Sequence, residues 1–171
     1  MKKTLIAGAA SLALAAMPVV GVFAADPAAI EDSITITVSE TCTFERTTGN
    51  GSYTATMAVN ALNASVGSSV FTAICNNANG FSVSATPTSL SGTGEAITYS
   101  ATTPTAGSGT WTATKTTVAG NIAAADGVLM TSAGVTAAAG QTETVTYKVS
   151  TRNNQAQGDY TGSIEYALTQ N

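Results

Sequence analysis

Apolar and hydroxyl-bearing residues alternate with period two along much of this chain, and a fold built from that pattern is made of strands. Residues 33–44 carry it most fully. Ile34, Ile36, Val38, Cys42 and Phe44 fall on one face; Ser33, Thr35, Thr37, Ser39, Thr41 and Thr43 fall on the other. Successive side chains of a strand point to opposite sides, so the run predicts a strand with one buried face. Glu40 interrupts the apolar row and predicts a bend between two strand segments.

The pattern recurs at 53–59 (Tyr53, Ala55, Met57, Val59), 81–86 (Phe81, Val83, Ala85), 97–100 (Ile97, Tyr99), 144–149 (Val145, Tyr147, Val149) and 163–169 (Ile164, Tyr166, Leu168). Residues 70–75 are apolar on both faces, which predicts a central strand covered on each side. Residues 110–115, around the single tryptophan, make a shorter strand. Asn- and Gly-rich pieces such as Asn76-Asn77-Ala78-Asn79-Gly80 separate these runs and supply the positive φ of tight connections. Eight to ten short strands so punctuated predict an all-β chain, a Greek-key sandwich of immunoglobulin or pilin type. The Ala-rich stretch 119–139 has no clear period; a loop with one short strand is expected there.

The start of the chain sets its address. Lys2 and Lys3 precede an uncharged run to Phe23, and Val22-Phe23-Ala24 reads as a cleavage site before Ala25-Asp26. This is the layout of a secretory signal, so 1–24 is expected to be removed. Pro18 and the lack of a basic flank weigh against a membrane anchor. One domain, 25–171, would remain, with 25–40 as an N-terminal arm running into the first strand. No second long apolar segment follows, so no membrane-spanning helix is expected afterwards.

Export changes the charge balance and the meaning of the cysteines. Losing Lys2 and Lys3 leaves four basic residues against ten acidic ones, a net charge of −6. Such a surface has no electrostatic footprint for nucleic acid. Low charge density also lets like surfaces approach one another. The chain has no histidine, which removes the commonest general base and metal ligand, and every Ser-His-Asp or Cys-His arrangement. No cofactor and no metal are expected. Cys42 and Cys75, the only two cysteines, read as a disulfide in an exported chain. Its closure would stabilise by about 3–4 kcal/mol.

Other candidates have plainer explanations beside them. Asp26, Glu31, Asp32, Glu40 and Glu45 are strung along an extended stretch, whereas calcium needs oxygens converging in one loop. Glu95, Glu143 and Glu165 would be the carboxylates for glycoside hydrolysis, but no aromatic platform accompanies Glu165. Lys115 and Lys148 are candidates for isopeptide links to asparagine, and Lys148 lies on the outer face by alternation. Trp111 with Tyr99, Tyr53 or Tyr160 would make a sugar-stacking surface; a core or edge position in a sandwich is the alternative.

Three resemblances extend this reading. Thr41-Cys42-Thr43-Phe44, the run from Cys75 to Val83, Trp111-Thr112-Ala113-Thr114-Lys115, and the run from Gln155 to Gly162 leading into Tyr166-Ala167-Leu168 resemble small, uncharacterised secreted bacterial surface proteins. The Cys spacing and Gly158-Asp159-Tyr160 are more distantly similar to fimbrial, pilin-like subunits, and the ending to WxL-type surface domains. The last aromatic, Tyr166, is not next to the final residue as in fimbrial subunits. The resemblance implies a non-enzymatic structural or assembly protein of the cell surface, partnered by itself or another surface protein. The alternative is an adhesin that recognises glycan or a partner protein, with Trp111, Tyr99 and Tyr160 as its ligand surface.

Overall fold

A computed structural model of the chain describes residues 34–117, 119–125 and 127–171. The expected signal at 1–24, and most of the expected arm, lie outside these residues. The fold below is that of the unit Val38–Asn171, with Ile34–Thr37 preceding it. Among the described residues there is no helix. Nine strands of the described residues form two sheets.

The larger sheet contains β1 (Cys42–Thr48), β2 (Ala64–Cys75), β8 (Gln141–Ser150), β5 (Thr110–Lys115) and β4 (Thr98–Tyr99), in that order. β6 (Gly120–Asn121) shares the far edge of β5 with β4. Among the described strands only the β4–β5 pair is parallel. The smaller sheet has the order β7 (Gly127–Ser132), β3 (Phe81–Pro87), β9 (Ile164–Gln170).

Alternation places one face of each sheet against the other. Phe71, Ala73 and Cys75 of β2, Ala113 of β5 and Val145 of β8 meet Phe81, Val83 and Ala85 of β3 and Leu129 and Met130 of β7 in one buried cluster. A register shift between Val83 and Ser84 in the β3–β7 pair lets the consecutive Leu129 and Met130 both be buried. The chain crosses between sheets at 76–80. Asn77 Oδ1 accepts the Asn79 N–H at 2.8 Å, and the Gly80 N–H reaches the Asn77 carbonyl at 3.0 Å. Gly80 has φ +79°, and a Cβ there would stand 1.9 Å from the Ser132 carbonyl oxygen. Only glycine combines that φ with that approach.

Cys42 and Cys75 are direct partners in the β1–β2 register and form the disulfide. Asn76, the next residue, ties down the chain before β1. Its N–H donates to the Thr41 carbonyl at 3.0 Å, its Nδ2 to the Ser39 carbonyl at 3.0 Å, and its Oδ1 accepts the Thr41 N–H.

Several expected strands are corrected. Residues 34–41 form none; β1 begins at Cys42, and Ile34, Ile36 and Val38 are 83%, 81% and 76% exposed. The alternation there lacks a partner edge among the described residues, and Glu40 precedes the strand instead of bending it. Residues 53–58 also pair with no strand. Residues 70–75 are central but not covered on both faces: Phe71, Ala73 and Cys75 are buried, while Ile74 is 41% exposed. The 97–100 run keeps only β4 and a bridge between Leu90 and Ile97. The 119–139 stretch holds two strands, β6 and β7.

Candidate functional site

The smaller sheet has three strands and does not cover the whole inner face of the larger one. Beyond the main cluster the larger sheet continues with Val66, Trp111, Tyr147 and Val149. A register shift between Ser65 and Gly67 accompanies the inward placement of Val66. Two loop segments lie over this part. One is 53–59, whose Met57 packs on the second cluster; the other is 155–163, whose Tyr160 does the same. Between them runs an open groove of about 920 Å³. Ile164 and Tyr166 of β9 form part of its wall.

Tyr53 pins the first segment to the sheet. Its hydroxyl donates to the Ser68 carbonyl and lies 2.6 Å from Ser69 Oγ, and its ring stands 5.2 Å from that of Tyr147. Gly67 makes room for the ring, since a Cβ there would stand 2.4 Å from it. Farther along, Thr151 Oγ1 donates to the Ala58 carbonyl at 2.7 Å and accepts the Ala61 N–H at 2.8 Å. Between these two anchors, the main chain of 53–57 makes no hydrogen bond to a described residue. Across the groove, β9 pairs with β3 on one side and with no described strand on the other.

Three of the predicted site residues meet here. Trp111 is 6% exposed, stands edge-on to Tyr99 at 4.8 Å, and donates its indole N–H to the Thr88 carbonyl at 3.1 Å. The Tyr99 hydroxyl donates to the Ile122 carbonyl at 2.7 Å, and that of Tyr160 to the Ala156 carbonyl at 2.9 Å. Trp111 and Tyr160 line the groove, whereas Tyr99 packs behind it. Their donors are already used within the fold. The Tyr147 and Tyr166 hydroxyls lie 3.2 Å apart at the inner end of the groove. Burial raises the Tyr166 pKa well above the ordinary phenol range, and the neighbouring Tyr147 adds to the rise. Burial also raises that of Tyr99.

The carboxylates do not converge. Glu165 is exposed, Glu95 is ion-paired with Arg152, and Glu143 is only 2% exposed. Among the described residues no three His, Cys, Asp or Glu side chains group as metal ligands would. Lys115 donates to the Val128 carbonyl at 2.9 Å, and Lys148 is half-buried.

Glu143, read from the sequence only as a candidate hydrolytic carboxylate, has a structural role which that reading missed. Its parity with Val145, Tyr147 and Val149 was the available signal, since it places the carboxylate inward. Glu143 Oε1 accepts the N–H groups of Thr116, Thr117 and Thr144 at 2.9, 2.8 and 3.1 Å, holding the turn after β5. Glu143→Ala is expected to lower the unfolding free energy by about 2–3 kcal/mol, and Glu143→Gln, which keeps an acceptor oxygen, by less. Urea titrations of the two variants check the order.

Compared with protein-family models, curated proteins and solved structures, the chain matches none.

Proposed function

We propose that this protein is a non-enzymatic structural subunit of the bacterial cell surface that assembles through its N-terminal arm. In this reading the two sheets are a Greek-key, pilin-like sandwich, exported by the signal at 1–24. The observation that carries it is the exposed apolar row Ile34, Ile36 and Val38, from 76% to 83% accessible on a segment that pairs with no described strand. Three β-branched residues alternating with threonines suit a strand that gains a partner. An unpaired segment of this kind carries an association hazard that folds otherwise blunt with charge or proline. Neither occurs between Ser33 and Ser39.

The adhesin alternative draws less support. Sugar recognition needs free polar groups beside an aromatic face, and the hydroxyls of Tyr53, Tyr99 and Tyr160 and the indole of Trp111 bond within the fold. The absence of histidine supports the non-enzymatic side of the proposal.

The test is the mass of the protein extracted from its own envelope and of the purified chain at high concentration. Multimers are expected, and Ile36→Asp should reduce them to monomers while leaving the thermal transition in place. A chain that stays monomeric in both settings would remove the proposal.

A further inference from the structure

The groove is apolar along its length and polar at one end. Its floor is made by Val66, Trp111, Tyr147 and Val149, and Met57 packs over them. At the polar end Arg46 of β1 forms part of the lining. Arg46 shares the inward parity of Cys42 and Phe44, and its guanidinium lies 5.4 Å from the centre of the Phe71 ring. Tyr166 meets the same ring at 4.5 Å, and its hydroxyl lies 3.2 Å from that of Tyr147. We infer that the groove binds a long-chain fatty acid, its carboxylate held by Arg46 and the tyrosine pair and its acyl chain laid along the floor toward Trp111. The inference goes beyond the assembly reading and does not depend on it.

Charge selects the head group. Among the described residues Arg46 has no acidic partner, since the ion pair joins Arg152 to Glu95. Gly51 leaves room for the guanidinium; a Cβ there would stand 2.2 Å from Arg46 Nη1. In the tyrosine pair one hydroxyl donates to the other, so one hydroxyl hydrogen has no acceptor among the described residues. A carboxylate supplies the anion that the guanidinium lacks and the acceptor that the second hydroxyl lacks. Burial raises the Tyr166 pKa and the Arg46 charge opposes the rise, which sets the guanidinium within electrostatic reach of that phenol. The other charged residues of the lining do not compete for the head. Lys148 alternates to the opposite face of β8, and Asp159 precedes Tyr160 in the loop at the Trp111 end.

Length and polarity select the tail. Arg46 pairs with Phe71 and Phe71 with Glu143, while Trp111 pairs with Val149. Val149 lies six residues beyond Glu143 on β8, so the groove runs roughly 20 Å from Arg46 to Trp111. That is the reach of an extended long acyl chain. Its volume of about 920 Å³ falls within the range of small-molecule sites, roughly 300–1,000 Å³. Away from the Arg46 end, the Tyr53 and Tyr160 hydroxyls and the Trp111 indole N–H all donate to backbone carbonyls. A sugar would leave polar groups unsatisfied there, whereas methylenes need no partner.

The test titrates the full chain with hexadecanoate and with hexadecanol, each below the concentration at which it aggregates. The readout is the emission of Trp111, the one tryptophan of the chain. Hexadecanoate should shift the emission saturably, and hexadecanol should bind about tenfold more weakly. Shortening the carboxylate by two carbons should weaken binding by about tenfold again. Arg46→Gln should lose about tenfold for hexadecanoate and leave hexadecanol unchanged, whereas Val66→Asp should weaken both. Circular dichroism establishes that the variants fold, and the comparison of the two head groups needs neither of them. Equal affinities for the two ligands, or hexadecanoate binding unchanged in Arg46→Gln, would overturn the head-group site. An emission that neither ligand moves would overturn the groove as an acyl-chain site. None of these readouts is the multimeric state, so the assembly reading stands or falls separately.

Discussion

Phe71→Ala is expected to destabilise the fold by about 3–5 kcal/mol, the range for emptying a buried aromatic site. Phe71 is 2% exposed and stands at the junction of three groups of contacts. Its ring stacks on Phe44 of the edge strand β1 at 5.5 Å and 13°. It meets Tyr166 of the opposite sheet at 4.5 Å and 45°, and the Arg46 guanidinium lies 5.4 Å from its centre. Truncation therefore removes apolar burial and also two aromatic pairs, each worth about 0.5–1.5 kcal/mol beyond area. Collapse into the space is limited, because Ala73 and Ser69 on the same face of β2 are small and fully buried. Phe44→Ala should cost less, since Phe44 is only partly buried. Urea unfolding followed by tryptophan fluorescence would show a lower midpoint at unchanged slope. A loss below about 1 kcal/mol would mean that the two sheets do not share the core described here.

How much of this was readable beforehand depends on whether a strand's pattern or its partner was at issue. Residues 81–87, 110–115, 141–150 and 164–170 combine alternation with turn signals on both sides, and each became a strand close to the expected limits. Residues 34–38 and 53–59 alternate just as well and pair with nothing described. Period two reports that a segment fits a pleated, half-buried surface; it carries no information on whether an edge is free to receive it. The same limit explains residues 70–75. Val70, Thr72 and Ile74 alternate with Phe71, Ala73 and Cys75, and six such residues in a row do not reveal which row meets the other sheet. In the candidate site, Trp111 and Tyr160 were legible as large residues amid small ones. Val66 was not, because its inward placement accompanies a register shift in the pairing with β8, a non-local event. The stretch 119–139 was expected to hold one short strand and holds two, β6 and β7, because the alanines around them give neither period a strong contrast.

Removing the disulfide is expected to cost about 3–4 kcal/mol, with a fall in melting temperature of about 10 °C. The link joins residues 33 apart in sequence, so the oxidised unfolded chain is a closed loop that reduction opens. In the folded state the two cysteines are already opposite partners of an antiparallel pair, so the native geometry persists without the bond. The loss should therefore come mainly through the unfolded state. A Cys42→Ala, Cys75→Ala chain should lose slightly more than the reduced parent, because Cys75 is 1% exposed and its sulfur packs in the core. The effect on local opening should be uneven. Among the described residues β1 is an edge strand with β2 as its only strand partner, whereas β2 also has β8. Hydrogen exchange after reduction should speed up most in Cys42–Thr48 and in residues 39–41, and least in β8. Equal acceleration across all three strands would show that the bond acts on the whole sheet and not on its edge.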